Sequence, residues 1–366
     1  MPVSWPTHRA VQFAGLDVLR CLAALAVVVY HGTLGMQPGF TSGVQRLLHN
    51  LSAGVDFFLL ISGFLITYLL LAEKTQTGTI SLYRFYVRRA LRIFPLYYAI
   101  VGVAWWLHAA ETPGIDFGSY ALFVGNFSMI RHGWTVATLN PLWSLCIEEQ
   151  FYLAIPVLLL LIPTRRLPWL FGGVVALSVI FRLYATLTLP ANWMTIYCHT
   201  LSRCDVLALG GGLAWWHFTT PIRWQLPRWA LGVGVAFLVL LLGVIDSTDY
   251  VSLTFALFKK YLYVLPMAGL FCFTLFNQSA AGPWLPAAIA RALNYLGKIS
   301  FGLYMYHSPL LFLLDLYPNL YFNSQWLRLL LILVLTGVVA SLSYEGFEKQ
   351  ILRLKSRFEV VPTVRA

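Results

Sequence analysis

Ten stretches of mostly apolar residues, each about 17 to 25 residues long, recur along this chain of 366, and that recurrence restricts the fold before any other feature does. They fall near residues 15–33, 52–72, 88–108, 142–162, 168–189, 201–217, 228–246, 255–277, 298–316 and 325–346. Such a stretch crosses the hydrocarbon core of a bilayer as a helix and is too long for a barrel strand. Hydrophobic residues make up 59% of the chain and charged residues 11%, which leaves too little polar surface for a soluble domain of this length. The expected fold class is therefore all-α, a polytopic membrane bundle of about ten transmembrane helices. One integral membrane domain is expected over residues 1–366, with its core at 15–346 and a basic tail at 347–366. The segment at 118–131 is too short to span and is expected as a re-entrant or interfacial helix. Pro95, Pro156 and Pro266 are expected to kink or break their helices. Arg20 interrupts what would be the apolar core of a signal peptide, so the first helix is expected to stay in the mature protein.

A formal charge of +11 raises the question of nucleic acid, but the distribution answers it. With the N-terminus in the cytoplasm, Lys74, Arg84, Arg88, Arg89, Arg92, Arg165, Arg166 and Lys298 all fall on inner connections, and Asp116 falls on an outer one. The surplus is thus a topology signal with both termini inside, and Lys259 and Lys260 are its clearest dissenters. No nucleic-acid partner is expected. Five scattered cysteines without a CxxC give neither a disulfide framework nor a metal site.

Against this apolar background the ionisable residues are the informative ones, because charge at membrane depth is costly and lines functional cavities. The first helix carries Asp17, Arg20 and His31. Eleven residues bring His31 back to within roughly 20° of the Arg20 face, roughly 16 Å along the axis. Asp17 lies on that stripe one turn before Arg20; snorkelling to the headgroups is its other reading. Asp56, at the start of the second helix, is placed to orient His31, or it simply favours the helix N-terminus. In YRFYVRRALRIFPLYY (83–98), Arg88, Arg89 and Arg92 crowd one helix mouth, with Arg89 and Arg92 sharing a face. Paired guanidiniums suit phosphate. Glu148 and Glu149 lie one to two turns into the fourth helix, at the expected level of His31. Glu148 shares a face with Tyr152 and is the inward candidate; Glu149 points elsewhere. Arg203 and Asp205 begin the sixth helix. His307 lies in the ninth with Tyr304 on its face, either as packing or as a polar cavity wall.

Taken in order, these motifs resemble the membrane-bound acyltransferase-3 family. The resemblance runs through Arg20 and His31, GVDFFLLISGF (54–64), RALRIFPLYY (89–98), WSLCIEEQFY (143–152), RCD (203–205) and KISFGLYMYHSPL (298–310), nearly the whole chain. Cys146 departs from a common serine. The resemblance implies a bacterial inner-membrane O-acyltransferase acting on glycans or small molecules, with His31, Arg20, Arg89, Arg92 and Glu148 functional. Acetyl-CoA is the implied acyl donor, with no metal. The acceptor is implied to be a cell-surface or lipid-linked glycan, and transfer is completed by the membrane domain alone or with separate polysaccharide-biosynthesis proteins. The resulting expectation puts His31, Glu148 and Asp56 at the chemistry and Arg20, Arg88, Arg89 and Arg92 on the donor. Asp17, Glu149, Tyr152, Arg203, Asp205, Tyr304 and His307 are expected toward the acceptor. Outer loops at 109–141 and 190–200 are expected to select it. Intramembrane His, Glu, Asp and Arg also serve proton-coupled transporters, and the residues alone leave that alternative open.

Overall fold

A computed structural model describes residues 13, 15–34, 42–108, 115–134, 136–189, 192–220, 227, 229–245, 250, 252–276, 286–321 and 324–361. Each of the ten apolar stretches contains a helix: α1 Leu16–Thr33, α2 Gly54–Thr77, α3 Leu82–His108, α4 Leu142–Leu161, α5 Leu167–Thr188, α6 Thr200–Thr219, α7 Trp229–Val244, α8 Lys260–Phe276, α9 Ser300–Asp315 and α10 Gln325–Ser343. Among the described residues seven helical segments are long and apolar enough to cross a membrane unaided, and α7 is a shorter apolar helix. The protein is a polytopic helical membrane bundle.

Burial explains the arrangement. The α2 helix is apolar nearly all round and is the most enclosed, with Leu59, Leu60, Ile61, Phe64, Ile66, Leu70 and Leu71 at 2% exposure or less. Its main neighbour is α6. The two backbones touch there: a Cβ on Gly63 would run into the Leu207 carbonyl, and one on Gly210 into that of Leu60. Small residues permit such an approach in membranes, where dispersion rather than water drives association. At the periphery, Val233, Phe237 and Leu240 of α7 and Leu330, Val334 and Val338 of α10 face outward, as lipid-facing residues do.

Pro95, Pro156 and Pro266 lie inside α3, α4 and α8, none of which breaks there. Two expectations change. The segment at 118–131 forms two short helices, Phe117–Ala121 and Gly125–His132. They are tied to the bundle by Tyr97 Oη donating to the Tyr120 carbonyl (2.7 Å) and Gln150 Nε2 to that of Phe123 (2.8 Å). The basic tail is no tail through residue 361: Lys349–Lys355 is a helix packed against the bundle, and Val361 is buried.

Candidate active site

The start of α1 and the middle of α4 meet the first half of α3 around a cavity of about 190 Å³. One wall is apolar, from Phe58, Ile61, Leu65 and Ile66 of α2. Facing it are Asp17 and Arg20 of α1, Arg89 and Arg92 of α3, Glu148 and Tyr152 of α4, Tyr304 of α9 and Lys355 from the C-terminal helix. Four cations thus face two carboxylates, which suits an anion. Helical spacing makes the cluster: Arg89 and Arg92 share a face, and Tyr152, one turn beyond Glu148, donates its hydroxyl to Glu148 Oε2 at 2.7 Å. Ser62 of α2 lines the cavity with this pair. The Arg89 guanidinium carbon lies 5.6 Å from the Tyr152 ring centroid and 5.9 Å from that of Phe85. Its buried Nε has no hydrogen-bond partner among the described residues.

Tyr304 connects this cavity to the histidines. Its hydroxyl donates to the Pro141 carbonyl (2.7 Å) and lies 2.7 Å from Ser144 Oγ. The Tyr304 ring stands 5.6 Å from that of His307, which stands 4.9 Å from that of His31. His31 Nδ1 lies 3.0 Å from the Val27 carbonyl, and His307 Nδ1 lies 2.6 Å from that of Tyr304. A carbonyl only accepts, so each Nδ1 carries a proton, and in the neutral form of either ring the lone pair is on Nε2. His307 Nε2 is buried and has no hydrogen-bond partner among the described residues.

Several expected neighbours are separated. His31 is not in the cavity wall; it is reached through Tyr304 and His307. Glu148 lines the cavity with Arg20, Arg89 and Arg92, whereas His31 does not line it. Asp56 does not orient His31. It accepts from Arg203 Nη1 at 2.9 and 3.1 Å and from Tyr263 Oη at 3.2 Å, because the α2–α6 contact delivers a guanidinium to it. Arg88 is drawn to Glu73 (3.1 Å) and to the Phe358 carbonyl (2.7 Å), outside the cavity. Glu149 lies outside the cavity wall, with a buried Oε1 that has no hydrogen-bond partner among the described residues. Asp205 faces away from Arg203 and holds Arg182 (2.7 Å), Lys260 (2.8 Å) and Tyr261 (2.7 Å).

Other residues were passed over in the sequence. Arg182 is an arginine within an apolar helix, so the reasoning applied to Arg20 identifies it too. Lys260 is the dissenter from the charge rule, and its place beside Asp205 and Asp56 explains the dissent. Lys355 carried no signal beyond a basic run. Among the described residues no group of three His, Cys, Asp or Glu is placed to hold a metal ion.

Comparison with known proteins gives the arrangement a family. The acyltransferase-domain family matches residues 13–345. The chain belongs to the acyltransferase-3 family. It is similar to the peptidoglycan O-acetyltransferase OatA of Listeria monocytogenes, 28% identical over 92% of this chain and 55% of that protein. It is also similar to the O-acetyltransferase OatA of Staphylococcus aureus, 26% identical over 92% of this chain and 57% of that protein. The chain spans about half the length of these curated relatives. No solved structure matches it.

Proposed function

We propose that this acyltransferase-3 protein is a membrane-bound O-acyltransferase, moving an acyl group, acetyl first, from acyl-coenzyme A to a hydroxyl of a cell-surface or lipid-linked glycan. The observation that carries the reading is one cavity in which Arg20, Arg89 and Arg92 stand together, with Tyr304 leading from it toward two histidines. Guanidiniums bind phosphate oxygens bidentately, so the arginines fit the donor's phosphates. The apolar α2 wall fits its thioester arm. The excess of Lys and Arg on one set of connections supports donor entry from the cytoplasm, with both termini on that side of a bacterial inner membrane. The relatives' names, O-acetyltransferase and peptidoglycan O-acetyltransferase, support acetyl and glycan as the two substrate classes.

His31 is the proposed general base. Its Nε2 takes the acceptor hydroxyl proton as that oxygen attacks the thioester carbonyl; the C–S bond then breaks and the thiolate leaves, taking up a proton. Glu148, held by Tyr152, keeps the arginine cluster oriented. The loops at 109–141 and 190–200 remain the proposed acceptor selectors, although 109–114, 135, 190 and 191 lie outside the described residues.

The test is reconstituted protein in vesicles with labelled acetyl-coenzyme A and a glycan acceptor. Label reaching the glycan with wild type but not with His31→Ala supports the reading. Label trapped on wild-type protein before transfer would make His31 an acyl carrier instead of a base. No transfer together with proton-dependent solute uptake would overturn the reading in favour of the carrier alternative.

A further inference from the structure

The two histidines stand on different helices, so their 4.9 Å ring contact depends on what holds those helices against each other. Each ring is fixed to its own helix first: His31 Nδ1 to the Val27 carbonyl of α1, and His307 Nδ1 to the Tyr304 carbonyl of α9. A shift of α1 against α9 therefore moves one ring relative to the other. His31 lies in the last turn of α1, where carbonyls run out of partners within the helix. There the Gly32 carbonyl accepts from Nη1 of Arg328, in the first turn of α10, at 2.7 Å. Another edge of the same guanidinium grips Asp315, the last residue of α9, with Nε to Oδ1 at 2.7 Å and Nη2 to Oδ2 at 2.8 Å.

One planar group thus ties the end of α1 to the end of α9, and its rigid fork fixes both contacts at once. Apolar packing on the same side leaves α1 little room. A Cβ on Gly32 would come within 2.8 Å of Leu329 and 3.2 Å of Ile332 of α10, and Val28, Leu314 and Ile332 form one buried cluster. Arg328 lines neither the donor cavity nor the pocket that shares Asp17, Arg20 and Arg92 with it. We infer that Arg328, gripped by Asp315, is a positioning residue for the transfer reaction: through the Gly32 carbonyl it sets the end of α1, and with it the place of His31 against His307. This rests on the reading of His31 as the general base. A base acts only within hydrogen-bond reach of the proton it takes, and a misplacement of about 1 Å costs on the order of 10²-fold in rate. Loss of the clamp frees the last turn of α1 and leaves the donor's arginines in place.

Steady-state transfer by the full-length protein in vesicles tests it, with acetyl-coenzyme A as donor and purified peptidoglycan fragments as acceptor. The kcat is counted per folded molecule, taken as the monodisperse fraction on gel filtration. Arg328→Gln is expected to lower kcat by a factor of about ten to a hundred and to leave the KM for acetyl-coenzyme A unchanged. Arg328→Lys keeps the charge but not the fork, so its kcat is expected between those of wild type and Arg328→Gln. Asp315→Asn keeps the Gly32 bond and loosens the grip, for a smaller fall in the same direction. A purely structural clamp would lower the unfolding temperature and the folded yield at unchanged kcat in all three, which overturns the inference. A raised KM for acetyl-coenzyme A at unchanged kcat also overturns it, by moving Arg328 to donor binding. Should Arg328→Gln fail to accumulate, Arg328→Lys and Asp315→Asn decide, and wild-type kcat in both overturns it. An inactive His31→Ala beside a fully active Arg328→Gln removes this inference and leaves the base reading standing. A His31→Ala protein as active as wild type removes both, and a wild type that transfers nothing to the fragments overturns the glycan reading and this inference with it.

Discussion

Two groups of charges lie at membrane depth in this protein, and they are built oppositely. Around Asp56 and Asp205 the cations come from the chain itself: Arg203, Arg182 and Lys260 close on the two carboxylates, and Tyr261 and Tyr263 fill further acceptor positions. Around Glu148 the cations face open space and outnumber the acids. Removing charge from water costs several kcal/mol per ion, recovered only through close, fully hydrogen-bonded partners. The first group recovers that cost internally and holds α2, α5, α6 and α8 together. The second group lines a cavity that a ligand can enter. Intramembrane charge therefore marks function where it lines a cavity and marks structure where the chain closes around it.

The largest expected effect tests the open side. His31→Ala should lower transfer by a factor of about 10² to 10⁴, the range for a lost general base, with the unfolding temperature of the solubilised protein unchanged. Falling activity and falling stability together would move His31 into the structural class. The closed side should behave in reverse. Asp205→Ala strands Arg182 and Lys260 in the interior, at about 3 to 5 kcal/mol, so a steep loss of thermal stability is expected. An Asp205→Ala protein as stable as wild type would break the contrast. Arg89→Gln with Arg92→Gln comes next: the KM for acetyl-coenzyme A should rise by a factor of about ten to a hundred, with kcat for a saturating donor much less affected. A change confined to kcat would place these arginines at the reacting atoms instead of at the phosphates.

The same contrast explains what the sequence could and could not disclose. The ten long apolar helices were legible because apolar length is a local property, and Arg89, Arg92, Glu148 and Tyr152 were legible because helical periodicity puts them on shared faces. Asp56 was misread because its partner is 147 residues away on α6; nothing local distinguishes a carboxylate awaiting a guanidinium from one facing an imidazole. Arg88 has the same composition and neighbourhood as Arg89, but a rotation of about 100° per residue sends it to Glu73. Lys355 was hidden by convention, since a basic run after the last apolar stretch reads as topology. Its return to the cavity depends on Arg88 and Phe358, a contact spanning 270 residues.

A third setting, the loop surface, completes the comparison with the smallest effect. Asp116 caps the short helix Phe117–Ala121, accepting from the Ser119 amide at 3.0 Å and from the Ser119 hydroxyl. Those hydrogen bonds favour the ionised form and hold the Asp116 carboxyl below its usual value. A depressed carboxyl contributes stability above its unfolded pKa, about 3.9, and loses it as pH falls through the lower folded value. The group is almost fully exposed, so water screens it and the cap is worth at most about 1 kcal/mol, and only locally. Asp116→Asn should therefore speed amide exchange in a peptide covering 115–122 by a factor of about five or less at neutral pH. The difference from wild type should vanish below the carboxylate range, because the wild-type side chain is then also neutral. Global stability should not change. A measurable fall in unfolding temperature would mean that this exposed acid supports the bundle as the buried carboxylates do, and exposure would then not separate the local cap from the closed network.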